Sequence, residues 1–222
     1  MGEQFDLFAE PEPQIEEKPK EKKDLGPRVQ YFDLETQKSA DDVGGWGNSH
    51  KMGLAVGVVW DSRDEKYHTY LEEDASALVD KLRSADLVVG FNVVGFDYAV
   101  LQPYANKQHI DLQEIPTFDM LTYVHKKLNH RLALNNLAQV TLGAEKSADG
   151  LLSLQWYKEY LAGDKKKLDK IVEYCKQDVQ ITRDLFLFGQ DNGYVEYTSR
   201  SKNAPSRLSV DWKIENLVKR TS

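Results

Sequence analysis

Cysteine is nearly absent from this sequence: Cys175 is the single one among 222 residues. That excludes a disulfide within the chain and a zinc site built on several thiolates, and it suits a reducing compartment, the cytoplasm. Long apolar runs are missing as well. No stretch approaches the roughly 18 residues that a membrane span needs, so no membrane partner is expected. Met1 to Lys23 is polar and charged, without the apolar segment of a secretory signal. Excess positive charge is also lacking, since 29 Lys and Arg face 36 Asp and Glu for a net charge of −7. Weak overall basicity argues against a tight, non-specific grip on duplex phosphates. Bulk charge is a poor guide here, however. Residues 1–27 alone hold eight acidic and four basic residues, and a cluster of carboxylates is neutralised when divalent cations bind it. No internal repeat is present.

The remaining length suits one α/β domain with a proper core. Residues 1–27 read as a disordered tail, because Pro11, Pro13, Pro19 and Pro27 alternate with Glu and Lys and leave little to bury. From Arg28 the pattern is that of a folded domain, expected to run to about residue 192. Val29 to Phe32 leads into Asp33 as a first strand. A Gly-rich loop (Gly44, Gly45, Gly47) precedes a Val-rich strand from Met52 to Trp60, and Lys66 to Leu71 alternates as a third. Asp74 is placed to cap a helix from Ala75 to Arg83. Leu87 to Phe91 is short and wholly apolar, as in a buried parallel strand. A helix over about Phe96 to Tyr104 and a strand over Ile115 to Phe118 follow. Helices are then expected near 119–129, 133–142, 151–161 and 165–189, with Gly143, Gly150 and Gly163 as punctuation. Gly193 to Trp212 reads as a closing hairpin, within a C-terminal extension (193–222) packed on the domain. This order implies a mixed sheet, an antiparallel meander plus parallel strands, flanked by helices.

Three segments carry the chemistry. In Tyr31-Phe32-Asp33-Leu34-Glu35-Thr36 the two acids lie two apart on a strand, so both project from the same face. Paired carboxylates on a core strand repel and resist burial, and a shared divalent cation compensates. Alone, the pattern equally fits a solvated strand face. In Gly90-Phe91-Asn92-Val93-Val94-Gly95-Phe96-Asp97 an apolar strand ends in a short turn, with Asp97 in the first turn of a helix. The plain explanation is an acid favoured by the helix dipole. The functional one sets Asp97 at the C-terminal edge of the sheet, where open α/β sheets bind ligands. In Tyr174-Cys175-Lys176-Gln177-Asp178 a spacing of four puts Tyr174 and Asp178 on one helix face. Ile171 and Ile181 share that face, so it points inward and the Asp needs a partner.

In this order and spacing the three segments resemble the motifs of the DEDD 3′→5′ exonucleases, the DnaQ-like superfamily with an RNase H-like fold. Asp33-x-Glu35 matches the first motif, Asn92-x3-Phe96-Asp97 the second, and Tyr174-x3-Asp178 the third in its tyrosine form. Glu173 stands where the other form has histidine. The resemblance covers roughly residues 28–190. Within it, Tyr174-Cys175-x2-Asp178-Val179 and the trailing helix are most similar to bacterial YprB-like exonuclease domains. It implies two Mg²⁺ or Mn²⁺ ions held by Asp33, Glu35, Asp97 and Asp178, as in other phosphodiester-cleaving sites. It also implies that Tyr174 orients the attacking water, since a phenol with an ordinary pKa of ≈ 10 is protonated at neutral pH. Leu34 (through its backbone) and Thr36 would meet the terminal nucleotide of a single-stranded 3′ end, with Asn92 and Phe96 flanking the strand. Phe96 can stack on a base or simply belong to the core.

Lys126, Lys127, His130 and Arg131 are expected near the rim of this site, as phosphate contacts or as a solvated helix end. Lys165 to Lys167 read as a solvated face, and Asp119 as a helix cap. In the tail, Gln4-Phe5-Asp6-Leu7-Phe8 resembles the peptide by which bacterial proteins dock on the replication sliding clamp. Leu7 and Phe8 would fill an apolar pocket and Gln4 would hydrogen-bond at its edge. The tail would then be a tether that raises local concentration on DNA. That favours DNA as substrate, with Met1 and the tail read as a natural start and not as a fragment of a polymerase. An exoribonuclease, or an inactive clamp-tethered adaptor, are the alternatives, and the five intact site residues weigh against the last.

Overall fold

The structure, a computed structural model, describes residues 26–144, 150–199 and 204–221. The tail peptide Gln4 to Phe8 lies outside these residues. The elements begin with β1 (Val29–Thr36), a short α1 (Ala40–Val43) and a 3₁₀ segment (Trp46–Lys51). Next come β2 (Leu54–Asp61), β3 (Lys66–Tyr70), α2 (Ala75–Arg83) and β4 (Leu87–Gly90). A π-helical turn (Val93–Asp97) then leads into α3 (Tyr98–Ala105) and β5 (Thr117–Asp119). The second half holds α4 (Met120–Leu128), α5 (Leu134–Leu142), α6 (Gly150–Leu161) and α7 (Lys166–Asn192). It closes with a hairpin of β6 (Tyr194–Ser199) and β7 (Ala204–Ser209) and with α8 (Ile214–Thr221).

The sheet order is β3-β2-β1-β4-β5. β1 lies at its centre, antiparallel to β2 and parallel to β4, and β4 runs parallel to β5. The expected mixed α/β architecture is therefore present. Because side chains on a strand alternate between faces, β1 serves two cores. Val29 and Tyr31 pack on one side with Ile171, Cys175, Val179 and Phe186 of α7. Phe32 and Leu34 pack on the other with Leu78 and Leu82 of α2 and Leu101 of α3. The second β-hairpin closes the α7 side. Trp212, which follows it, is fully buried and stacks on Phe186 at 6.0 Å between ring centroids.

Several boundaries differ from expectation, for local reasons. The Gly-rich loop contains two short helical segments, Ala40–Val43 and Trp46–Lys51. Ser39 and Asp42 form a reciprocal capping box there, a pattern whose Ser and Asp were hidden beside three glycines. Asp74 does not cap α2 with its side chain: a 3₁₀ turn, Glu72–Asp74, precedes the helix and its backbone supplies the entry. Gly150 begins α6 instead of ending a helix. α8 was not anticipated, because eight residues give too little periodicity to separate from coil.

The β2–β3 edge is tied to β1 by a buried ionic knot. Asp61 is fully buried, and its Oδ2 accepts from Arg28 Nε at 2.9 Å and Nη2 at 2.6 Å, from Gln30 Nε2 at 3.2 Å, and faces Lys81 Nζ at 2.8 Å. Burial pushes the Asp61 carboxyl up, but the hydrogen bonds from Arg28, Lys81 and the Arg63 backbone outweigh it and hold it well below the usual carboxylate range. A depressed carboxylate stabilises the folded state above its unfolded-state pKa, near 3.9, and that stability is lost as the pH falls below it. Asp61→Asn should therefore cost about 2 kcal/mol at neutral pH. In thermal melts followed by circular dichroism, the gap between the two proteins should close as the pH drops below about 4. A gap that does not change with pH would refute the ionic account.

Candidate active site

Asp33 and Glu35 continue the odd row of β1 that Val29 and Tyr31 begin, so their side chains turn toward α7. Their partners across β2 are Val58 and Val56, and a register shift follows at Glu35/Thr36, where β1 leaves the sheet. On α7, Tyr174, Cys175 and Asp178 are all buried. Oxygens of Asp33, Glu35 and Asp178 lie within 4.8 Å of one another. Such a trio of oxygen ligands is the donor set that Mg²⁺ or Mn²⁺ takes.

Asp97 arrives from the other side. The residue is only 3% exposed, and its Oδ1 accepts from the Leu34 backbone N–H at 3.2 Å, which pins it against β1. Burial first, and then the Asp33 charge, push the Asp97 carboxyl well above the usual range. Cys175 lies beside Asp33. Its thiol donates to the Asp33 carbonyl at 3.4 Å. Burial pushes that thiol up, and the charges of Asp33, Glu35, Asp178 and Asp97 push it the same way.

The turn that presents Asp97 is strained and braced. Asn92 has φ +70°, uncommon for a residue with a side chain. Asp119, at the N-cap of α4, accepts from the backbone N–H groups of Asn92 (2.9 Å) and Val94 (3.1 Å) on one side. On the other side it accepts from Leu121 (2.9 Å) and Thr122 (3.2 Å). Asp119 is therefore a cap, as expected, and also the brace of the Asn92 turn. A Cβ at Gly95 would meet Asn92 Oδ1 at 2.9 Å, so a larger residue there would push the Asn92 side chain aside. The π-helical geometry over Val93–Asp97 is of a kind found often at functional sites.

All nine residues singled out in the three motifs (Asp33, Leu34, Glu35, Thr36, Asn92, Phe96, Asp97, Tyr174 and Asp178) line one cleft of 630 Å³. Trp46 joins them, 72% exposed and edge-on to Phe96 at 5.8 Å, as do Leu151 and Leu154 of α6. Sequence reasoning passed over Trp46; an aromatic residue inside a run of glycines was the available signal. Of the basic residues expected at the rim, none lines the cleft, but Arg131 donates to Asn92 Oδ1, a lining residue, at 2.9 Å. A second trio, Asp61, Asp64 and His68, also lies within 4.8 Å, but Asp61 is already held by Arg28 and Lys81.

A central strand bearing two acids, a helix bearing a third and a mixed five-stranded sheet define the class of RNase H-like α/β domains. Residues 30–187 match the profile of the RNase_H superfamily, and the chain belongs to that superfamily, whose members are metal-dependent nucleases. No curated protein sequence matches the chain. Among solved structures the fold is similar to that of the family B DNA polymerase from the hyperthermophilic archaeon Pyrobaculum calidifontis. The TM-score is 0.54 and the identity 16%, over 76% of this chain and 26% of the polymerase. The chain thus spans about a quarter of that protein's length.

Proposed function

We propose that the protein is a 3′→5′ exonuclease that hydrolyses single-stranded ends, with DNA as its substrate. The observation that carries this reading is the mutual approach, within 4.8 Å, of oxygens of Asp33, Glu35 and Asp178, beside the buried Asp97. Four carboxylates gathered in one cleft suit hard divalent cations. Asp33, Glu35 and Asp178 would hold one Mg²⁺ or Mn²⁺ ion, and Asp33 with Asp97 a second. Bound there, such ions lower the pKa of water and stabilise charge on a phosphodiester. The chain's own groups do the rest. Tyr174, on the wall of the same cleft, holds the attacking water by its hydroxyl. The Leu34 backbone and Thr36 seat the terminal nucleotide, and Asn92 and Phe96 flank the strand.

Digestion of 5′-labelled single-stranded DNA and RNA of one sequence, with Mg²⁺, Mn²⁺ or EDTA, tests this directly. The expected result is a ladder shortening from the 3′ end, faster on DNA, absent in EDTA and absent for Asp33→Ala. Tyr174→Phe should lower turnover about 100-fold, in line with the loss of a group that positions the attacking water, with little change in the metal concentration needed. Activity retained by Asp33→Ala would refute the site, and a faster ladder on RNA would overturn the choice of sugar.

The DNA assignment rests on Gln4 to Phe8, whose order of Gln, Phe, Asp, Leu and Phe suits docking on a bacterial sliding clamp. Leu7→Ala with Phe8→Ala should abolish binding to the clamp in surface plasmon resonance while leaving digestion of short oligonucleotides intact. Undiminished binding would remove the clamp as a partner.

A further inference from the structure

Tyr174 stands between two clefts. One is the acid cleft; the other, of 510 Å³, lies on its far side, between α6, α7 and β3. The second cleft falls within the roughly 300–1,000 Å³ of sites that take small molecules. Its walls are of a different chemistry. Trp156 of α6 meets Tyr174 edge-on at 6.3 Å between ring centroids, and Tyr67 closes the β3 side. Lys170 Nζ sits 5.8 Å from the Trp156 ring centroid. Lys176 Nζ reaches Glu173 at 3.0 Å, an exposed pair that a phosphate can displace at small cost. Two ammonium groups against one carboxylate, beside an indole, suit a flat ring attached to a phosphate.

The acid cleft supplies the complementary need. Among the described residues its lining includes Asp33, Glu35, Asp41, Asp97 and Asp178, with Lys38 as the cation. A strand whose last phosphodiester lies among those acids must find positive charge for its next phosphates elsewhere. Resting on the exonuclease reading above, we propose that the second cleft holds the nucleotides immediately 5′ of the one being removed. In this arrangement a base lies against Trp156, and Lys170 and Lys176 bind phosphates. The strand then passes over Tyr174, which explains why one side chain forms part of both walls. The cleft grips backbone and ring faces, so it accepts any base but excludes a paired strand.

The full chain and its Lys170→Ala/Lys176→Ala variant test the proposal. Both lysines are solvent-accessible, so folding is not at stake. Fluorescence anisotropy with a 5′-labelled phosphorothioate dT10 in Mn²⁺ reads binding, and hydrolysis of the p-nitrophenyl ester of thymidine 5′-monophosphate reads the acid cleft alone. The variant should bind dT10 about 10-fold more weakly. Its log Kd should change less steeply with log salt, by about 1.4, the value for two lost phosphate contacts on a single strand. The ratio of dT10 affinity to ester kcat/KM should fall correspondingly. Unchanged dT10 affinity and salt slope would overturn the proposal. So would an effect confined to inhibition by thymidine monophosphate, which would make the cleft a product exit. An unsubstituted protein that binds dT10 through these lysines yet hydrolyses neither ester nor oligonucleotide would leave the cleft assigned and sink the exonuclease reading instead.

Discussion

Asp33 and Glu35 lie on the central strand of the sheet, and the helix packed across that strand brings Asp178 to them. Their distance apart is set by the backbone, by the 2-residue period of a strand and by the seating of α7 on the β1 core, whatever their charges prefer. Like charges this close repel, and the burial of Asp178 beside the half-buried Asp33 and Glu35 limits their solvation. Much of the surrounding structure can be understood as holding that arrangement. Phe186, Tyr31 and Trp212 lock α7 onto β1 a few residues from the acids. The Leu34 N–H fixes Asp97, and Asp119 braces the turn that delivers it. Packing thus gathers acidic groups that could hold a metal ion.

The division of labour along β1 follows from elementary geometry. The first half of the strand is buried on both faces and builds the two cores. The second half loses its cover where the strand leaves the sheet, and there the same alternation that faced Tyr31 to α7 faces Asp33 and Glu35 to the cleft. Tyr174, one turn before Asp178 on α7, then has no choice but to share the cleft with the acids. The ionic knot of Asp61 with Arg28 and Lys81 contrasts with this. There a buried carboxylate is met by the cations Arg28 and Lys81, and it ties strands together.

How far this was legible in the sequence depends on the range of each interaction. The strand carrying Asp33 and Glu35, the helix face carrying Tyr174 and Asp178, and the capping role of Asp119 are local patterns, and residue spacing alone reveals them. The sheet order and the two-sided use of β1 follow once strands and helices alternate as they do. What spacing cannot reveal is contact between distant segments. Arg28 and Lys81 meeting at Asp61, Trp46 reaching Phe96, and Tyr174 forming part of a second cleft all join residues far apart in the chain. The capping box of Ser39 and Asp42 was local and readable, but the neighbouring glycines pointed to a loop. The α8 helix was too short for its period to stand out.

On the proposed reading, Asp33, Glu35 and Asp178 are tolerated together because a divalent cation binds among them. Thermal unfolding of the unsubstituted protein and of Asp178→Asn, each in EDTA and in saturating Mn²⁺, tests it most directly. Removing one of three crowded charges relieves repulsion, so the variant should melt higher than the unsubstituted protein in EDTA. Mn²⁺ should raise the midpoint of the unsubstituted protein by mass action and reverse the order, because the variant has lost a ligand. A midpoint indifferent to Mn²⁺, with Asp178→Asn the less stable protein under both conditions, would contradict the claim and make the cluster an ordinary structural one.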